Sequence, residues 1–193
     1  MKSILLIITV ILIANTVCSQ NNLQQYNQER ASITKNGMLV LGAWGTANIA
    51  VGTIGLASSH GEAKYFYQMN LIWGATNLAI AAPTFFSLKR KTRDYNLSET
   101  VKQQSAVEKT FFLNAGLDLV YMTAGAYCLQ KANNDSKQDL YRGYGKSLLL
   151  QGGGLLIFDV SMSIINISHA KKLYKILNSI QVSGNSAAIL WKF

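Results

Sequence analysis

Residues 37–57 read GMLVLGAWGTANIAVGTIGLA, twenty-one residues without a single charge. A helix needs ~20 apolar residues to cross the hydrocarbon core of a bilayer. Three further stretches reach that length, at about 65–88, 110–129 and 147–167. The only formal charges inside the four are Asp118 and Asp159. A soluble bundle would carry charge at helical intervals along each outer face, and these segments do not. They are rich in Gly, Ala, Ser and Thr, which suits helices that pack closely on one another in lipid. The pattern predicts an all-α protein, an up-and-down integral membrane four-helix bundle occupying residues 37–178.

Composition agrees. Of the 193 residues, 49% are apolar and 14% charged, where a soluble domain carries about a quarter. The net charge of +9 raises nucleic acid as a partner. The basic residues, however, flank the apolar stretches, as in Lys89, Arg90 and Lys91, and Arg142 and Lys146. Lipid headgroups account for that placement, and no nucleic-acid-binding motif accompanies it. Expected partners are therefore membrane lipids, with another membrane protein or a second copy of the chain, and no nucleic acid.

The N-terminus begins Met1-Lys2, continues apolar from Ile4 to Ala14, and turns polar towards Cys18-Ser19-Gln20. That is the make-up of a signal peptide, here 1–19, followed by a polar segment over 20–36. Lipidation at Cys18 is a minor alternative, although Asn15-Thr16-Val17 is a poor match to the residues expected before a lipidated cysteine, and an uncleaved anchor, which would add a fifth helix, is the other. After cleavage Cys128 is the one remaining thiol, so no internal disulfide is expected. The tail, 179–193, alternates Ile189, Trp191 and Phe193 and fits either a short strand or an interfacial anchor.

Punctuation marks two helix starts. Asn96-Leu97-Ser98-Glu99 has the form of a capping box, predicting a helix from Leu97 straight into the third stretch. Ser136-Lys137-Gln138-Asp139 offers a second cap, for a helix running to about Asn178. Pro83 falls in the second stretch and removes one backbone hydrogen bond there.

The stretches echo one another. Residues 44–50 read WGTANIA and residues 73–79 read WGATNLA. Each stretch also carries one central carboxamide or carboxylate: Asn48, Asn77, Asp118 and Asp159. In an up-and-down bundle the N-terminal segment, the 89–109 connection and the C-terminal segment share one side, here side A. At 1.5 Å per residue all four polar groups lie ~13–20 Å from it, at one level. Steps of three and four extend each into a stripe on one helix face, through Gly45, Gly52 and Gly55, through Asn70, Gly74 and Ala81, through Asn114, Tyr121 and Gly125, and through Gly152, Ser163 and Asn166. These faces are expected to meet inside the bundle.

An acid in mid-bilayer costs ~2.5–3.5 kcal/mol on insertion scales, and no Lys or Arg shares that depth. The pair must share a proton, hydrogen-bond to the carboxamides, or take a cation. No cofactor motif or metal-ligand spacing is present. The reading this supports is a non-enzymatic binding or assembly subunit of the cell envelope, multi-pass in the inner membrane, with a polar intramembrane core. The alternative is a small oligomeric transporter or channel using Asp118 and Asp159 as proton or cation sites. A third is an intramembrane aspartyl hydrolase, for which Gly116-Leu117-Asp118 lacks the second glycine of the Gly-x-Gly-Asp motif. Orientation is pulled two ways: a cleaved signal puts side A outside, whereas its excess of Lys and Arg would place it in the cytoplasm.

One set of residues carries a resemblance. Gly37-Met38-x-x-Leu41-x-x-Trp44, Trp73-Gly-x-x-Asn77, Asn114-Ala-Gly-Leu-Asp118-x-x-Tyr121, Arg142-Gly-Tyr-Gly-x-Ser147-x-x-x-Gln151 and Phe158-Asp159 together resemble an uncharacterised Bacteroidota family of short membrane proteins, a domain of unknown function. The resemblance covers about residues 30–170. It implies a four-helix membrane protein and brings no activity or catalytic residues with it.

Overall fold

Four long helices make up the described residues: α1 (Lys2–Ser58), α2 (Gly61–Arg90), α3 (Leu97–Lys131) and α4 (Gln138–Leu190), with a single 3-10 turn, Ala132–Asn134, before the last. This computed structural model describes the backbone of residues 2–90 and 95–190 and the side chains of residues 21–87 and 95–178. No strand occurs among the described residues.

The turns follow from local chemistry. Gly61 opens α2 at φ +59°, a left-handed conformation that favours glycine. It lets α1 and α2 join through two residues as an antiparallel hairpin. At the start of α3 the capping box is complete: the Asn96 side chain accepts from the Glu99 amide at 2.9 Å, and the Asn96 amide donates to the Glu99 carboxylate at 3.0 Å. Before α4 the turn is held by Asp135, whose carboxylate accepts from the Lys137 amide at 2.9 Å. α2 continues through Pro83 without interruption.

The polar segment over 20–36 is helical and continuous with the first apolar stretch. Nothing in residues 21–36 breaks a helix, and Gln25 donates to Glu29 one turn on at 3.1 Å. α4 likewise runs helical to Leu190, so the strand alternative for the tail does not hold over 181–190. Trp191 and Phe193 lie outside the described residues, as do the side chains of the signal-like segment 1–19 and of Lys89, Arg90 and Lys91.

Two helices are long and apolar enough to cross a membrane by length and composition, α1 over Asn21–Ser58 and α4 over Gln138–Asn178. The expectation of four such helices is met for these two. α2 and α3 carry more polar side chains, among them Gln68, Asn70 and Asn77, and Asn114 and Asp118, which lower their average.

The helices pack as two hairpins, α1 with α2 and α3 with α4. Each pair closes on facing glycines. A Cβ at Gly45 would come within 2.9 Å of the Gly74 carbonyl, and one at Gly125 within 2.9 Å of the Gly145 carbonyl. The sequence echo thereby acquires a structural meaning. In both copies of Trp-Gly the glycine meets its counterpart while the tryptophan turns to the other hairpin. Trp44 donates to Gln151 of α4 at 3.0 Å, and Trp73 stacks edge-on to Tyr121 of α3 at 4.8 Å. The hairpins meet mainly through α4, which lies against both α2 and α1. α2 and α3 have no close backbone approach among the described residues, and a cleft opens between them.

Polarity is inverted relative to a soluble bundle. The largest fully buried side chains are Gln151, Asn70, Asn166, Thr100 and Ser147, all polar. Among the described residues thirteen polar or charged ones are buried against ten apolar ones, so the apolar side chains must face elsewhere. They face outwards on all four helices: Ile54 of α1, Ile80 of α2, Phe112 and Leu113 of α3, and Ile157 of α4 are each more than half exposed.

Candidate functional site

The predicted stripes lie on inward faces. Gly45, Asn48, Gly52 and Gly55 are buried on α1, and Asn70, Gly74, Asn77 and Ala81 on α2. On α3 the buried positions Gln104, Phe111, Asp118 and Gly125 recur every seven residues, the spacing of a helix seam packed on a neighbour.

The four central polar groups divide between two adjoining layers. Asn48 belongs to the first, centred on Gln151. The Gln151 amide donates to Asn48 at 2.5 Å and to Asn70 at 3.1 Å, while its carbonyl accepts from Trp44. Ser147 donates to the same Asn70 oxygen at 2.6 Å. This network joins α1, α2 and α4. Counting residues from the helix ends gave a similar depth for all four groups, but it gives no azimuth around the bundle, and azimuth is what separates Asn48 from the acids.

The second layer contains Asn77, Asp118 and Asp159 at the base of the cleft between α2 and α3, a cavity of about 410 Å³. Asp118, Asp159 and Asn114 all line this cavity. The Trp73–Tyr121 pair closes the cleft on the side-B end. The walls are largely apolar, formed by Leu41, Ile80, Phe111, Leu155 and Phe158, and no Lys, Arg or His among the described residues lines the cavity.

Three atoms here lack a partner. Asn77 Nδ2, Asp118 Oδ2 and Asp159 Oδ1 are buried without a hydrogen bond, although their residues are only 2–4% exposed. An unmet buried polar atom costs ~1–3 kcal/mol, and more when charged. All three belong to residues that line the one cavity. Among the described residues no group of three or more His, Cys, Asp or Glu could hold a metal ion.

Of the remaining predicted positions, Tyr121 and Asn114 line the cleft. Ser163 is half-buried and outside the lining. Asn166 is buried and donates to the Met162 carbonyl at 2.7 Å, on the turns beyond the cleft. On side B, Lys146 forms an ion pair with Glu62 at 2.5 Å, and Arg142 is half-buried nearby.

A third polar cluster, on side A, was not anticipated from the sequence. Tyr26 donates to Gln104 at 2.6 Å, Asn27 to Thr100 at 2.8 Å, and Gln104 to the Asn166 carbonyl at 3.0 Å. Glu29 takes Lys172 at 2.6 Å and His169 at 3.2 Å. The His169 ring stacks on Tyr26 at 4.2 Å. Arg30, also buried, donates to Asn27 at 3.0 Å and lies over the Tyr95 ring. Apart from Asn166, these groups lie outside the apolar stretches, and they tie α1 to α3 and α4. Burial pushes the His169 imidazole below its ordinary value, with Glu29 partly opposing. The Lys172 hydrogen bond holds the Glu29 carboxyl below the usual carboxylate range.

The fold and the cleft together define an all-α four-helix protein with a polar interior and an apolar exterior. The chain belongs to a family of unknown function, DUF6992, whose profile matches residues 40–160. That stretch takes in both inner polar layers and, of the side-A cluster, Tyr95, Thr100 and Gln104, but not the α1 and α4 residues. No curated protein and no solved structure matches the chain.

Proposed function

We infer that this is a multi-pass protein of the inner membrane that enters through its N-terminal signal and binds a small ligand, without transforming it, in the cleft between α2 and α3. The observation that carries the reading is the inverted polarity: side chains such as Gln151 and Asp118 inside, and Phe112 and Ile157 outside. Water would penalise such an exterior on every helix, whereas hydrocarbon accepts it. α2 and α3 then cross the bilayer beside α1 and α4, their polar residues turned inwards. The cleft lies at mid-depth and faces lipid sideways, so a ligand reaches Asp118 and Asp159 from within the bilayer.

Native mass spectrometry of the protein purified in mild detergent from its own membrane tests this. A bound small mass is expected, lost on Asp118→Asn or Asn77→Leu. A chain that carries no such mass, alone or held to a second protein, refutes the ligand reading; in the latter case the role is that of an assembly subunit.

A second reading uses the same residues. Two carboxyls that share a proton are the working parts of an aspartyl hydrolase, and Asp118 and Asp159 line the same cavity. It requires that Asp159→Asn change the set of cleaved membrane peptides in cells. An unchanged set dismisses it.

A further inference from the structure

We propose that the cleft ligand is an organic ammonium, a protonated primary or secondary amine carried on a compact apolar body. The proposal rests on the reading of the cleft as a ligand site and names the class of molecule it takes.

Charge comes first. Two acids share the cavity, and no basic side chain among the described residues lines it. A pair that holds one proton between its two carboxyls keeps one negative charge, which a single cation neutralises. Burial of an uncompensated charge is costly, so a cationic guest removes the largest penalty at the site.

The hydrogen-bond inventory comes next. Asp118 Oδ2 and Asp159 Oδ1 are free acceptors. An ammonium N–H fills both, whereas a quaternary ammonium has no N–H to give. The free Asn77 Nδ2 is a donor, matched by an oxygen beside the amine, as in an amino alcohol.

The walls supply the rest. Trp73, Tyr121, Phe111 and Phe158 present aromatic rings to the cavity, and aromatic faces attract organic cations within ~6 Å. A bare metal ion is the poorer match. Calcium takes six to eight oxygens and magnesium a tight octahedron, but here two carboxyls and two carboxamides stand in a cavity of about 410 Å³ walled mostly by carbon. That volume falls in the range of small-molecule pockets, ~300–1,000 Å³.

The test compares probes of one shape. The protein is reconstituted in lipid nanodiscs and titrated with 1-adamantylammonium, 1-adamantanol and 1-adamantanecarboxylate. Trp73, in the cleft wall, reports by its fluorescence, and Trp73→Phe identifies its share of the signal. The ammonium is expected to bind at least tenfold more tightly than the alcohol, and the carboxylate not at all. Asp118→Asn and Asp159→Asn should each weaken the ammonium tenfold or more. The outward Thr123→Ala should leave it unchanged. Circular dichroism and a melting curve for each variant establish that it folds. An alcohol that binds as tightly as the ammonium overturns the cation assignment and leaves the ligand site standing. Ammonium binding untouched by either aspartate substitution also overturns it. If no probe binds the folded protein, the assignment fails; if mass spectrometry also finds no bound mass, the ligand-site reading fails with it.

Discussion

Replacing one glycine by alanine should have opposite effects at two sites of the same bundle. At Gly74 a new Cβ would lie 2.6 Å from the Gly45 carbonyl and 2.8 Å from the Ile49 amide nitrogen. Both are backbone atoms that cannot turn aside, so α1 and α2 must separate. Overpacking of this kind costs ~1–3 kcal/mol. At Gly116 a Cβ meets nothing within 4 Å, leaving only the helix-propensity gain of up to ~1 kcal/mol. The two chemically identical changes should therefore differ by roughly 2–3 kcal/mol, a factor of about 30 to 150 in the folding equilibrium. Unfolding in mixed micelles with a rising fraction of denaturing detergent, followed by circular dichroism, measures both. Gly45→Ala should follow Gly74→Ala, and Gly153→Ala, also in open space, should follow Gly116→Ala. Equal responses at Gly74 and Gly116 would show that the helices do not meet on the facing glycines.

Other outcomes follow from the polar layers and the exterior. Gln151→Leu removes three hydrogen bonds and strands Trp44 Nε1 and Asn48 Oδ1; a loss of ~2–4 kcal/mol is expected in the same assay, and a loss under ~0.5 kcal/mol would refute the network. Stability should fall as the pH is lowered below about 6.5, the ordinary value of histidine. With His169 held below that value in the fold, the unfolded chain takes up the proton first. Glu29, also depressed, extends the loss below its ordinary range. His169→Gln should flatten the upper part of that profile as measured by thermal melting, and an unchanged profile would refute the assignment. Ile157→Lys, on an outward face, should reduce recovery of the chain in alkali-washed membranes, whereas full recovery would argue against lipid contact there.

Much of this architecture could be read from the residues because these helices separate polar from apolar by face. Asn96 and Glu99 marked the start of α3 to the residue, and the steps from Gly45 to Gly55 marked the inward stripe of α1. The partners of Gln151 were harder to see. Its polarity inside an apolar run was visible, as was its place four residues after Ser147, but which of Asn48, Asn70 and Asn77 it meets depends on how the hairpins cross. The cleft itself is a gap between α2 and α3, and a gap leaves no mark on either strip of sequence. The side-A cluster was missed for a related reason. Tyr26, Asn27 and Arg30 look like a solvated polar segment until α3 and α4 are placed against them.

The continuity of α1 has a mechanical consequence. One unbroken helix carries Glu29 in the side-A cluster, Met38 and Leu41 on the cleft wall, and Gly45 against Gly74. Taken about the close glycine contact, the ~24 Å of helix from Gly45 back to Glu29 would be the arm of any rocking motion. A rocking of about 5° moves the far end by roughly 2 Å over that length. Leu41, only one turn from the glycine contact, moves by a fraction of that. Load applied at His169 and Lys172 would reach the cleft geared down, as small adjustments of its wall. A guest wedged against Leu41 would be felt at the surface as a much larger swing.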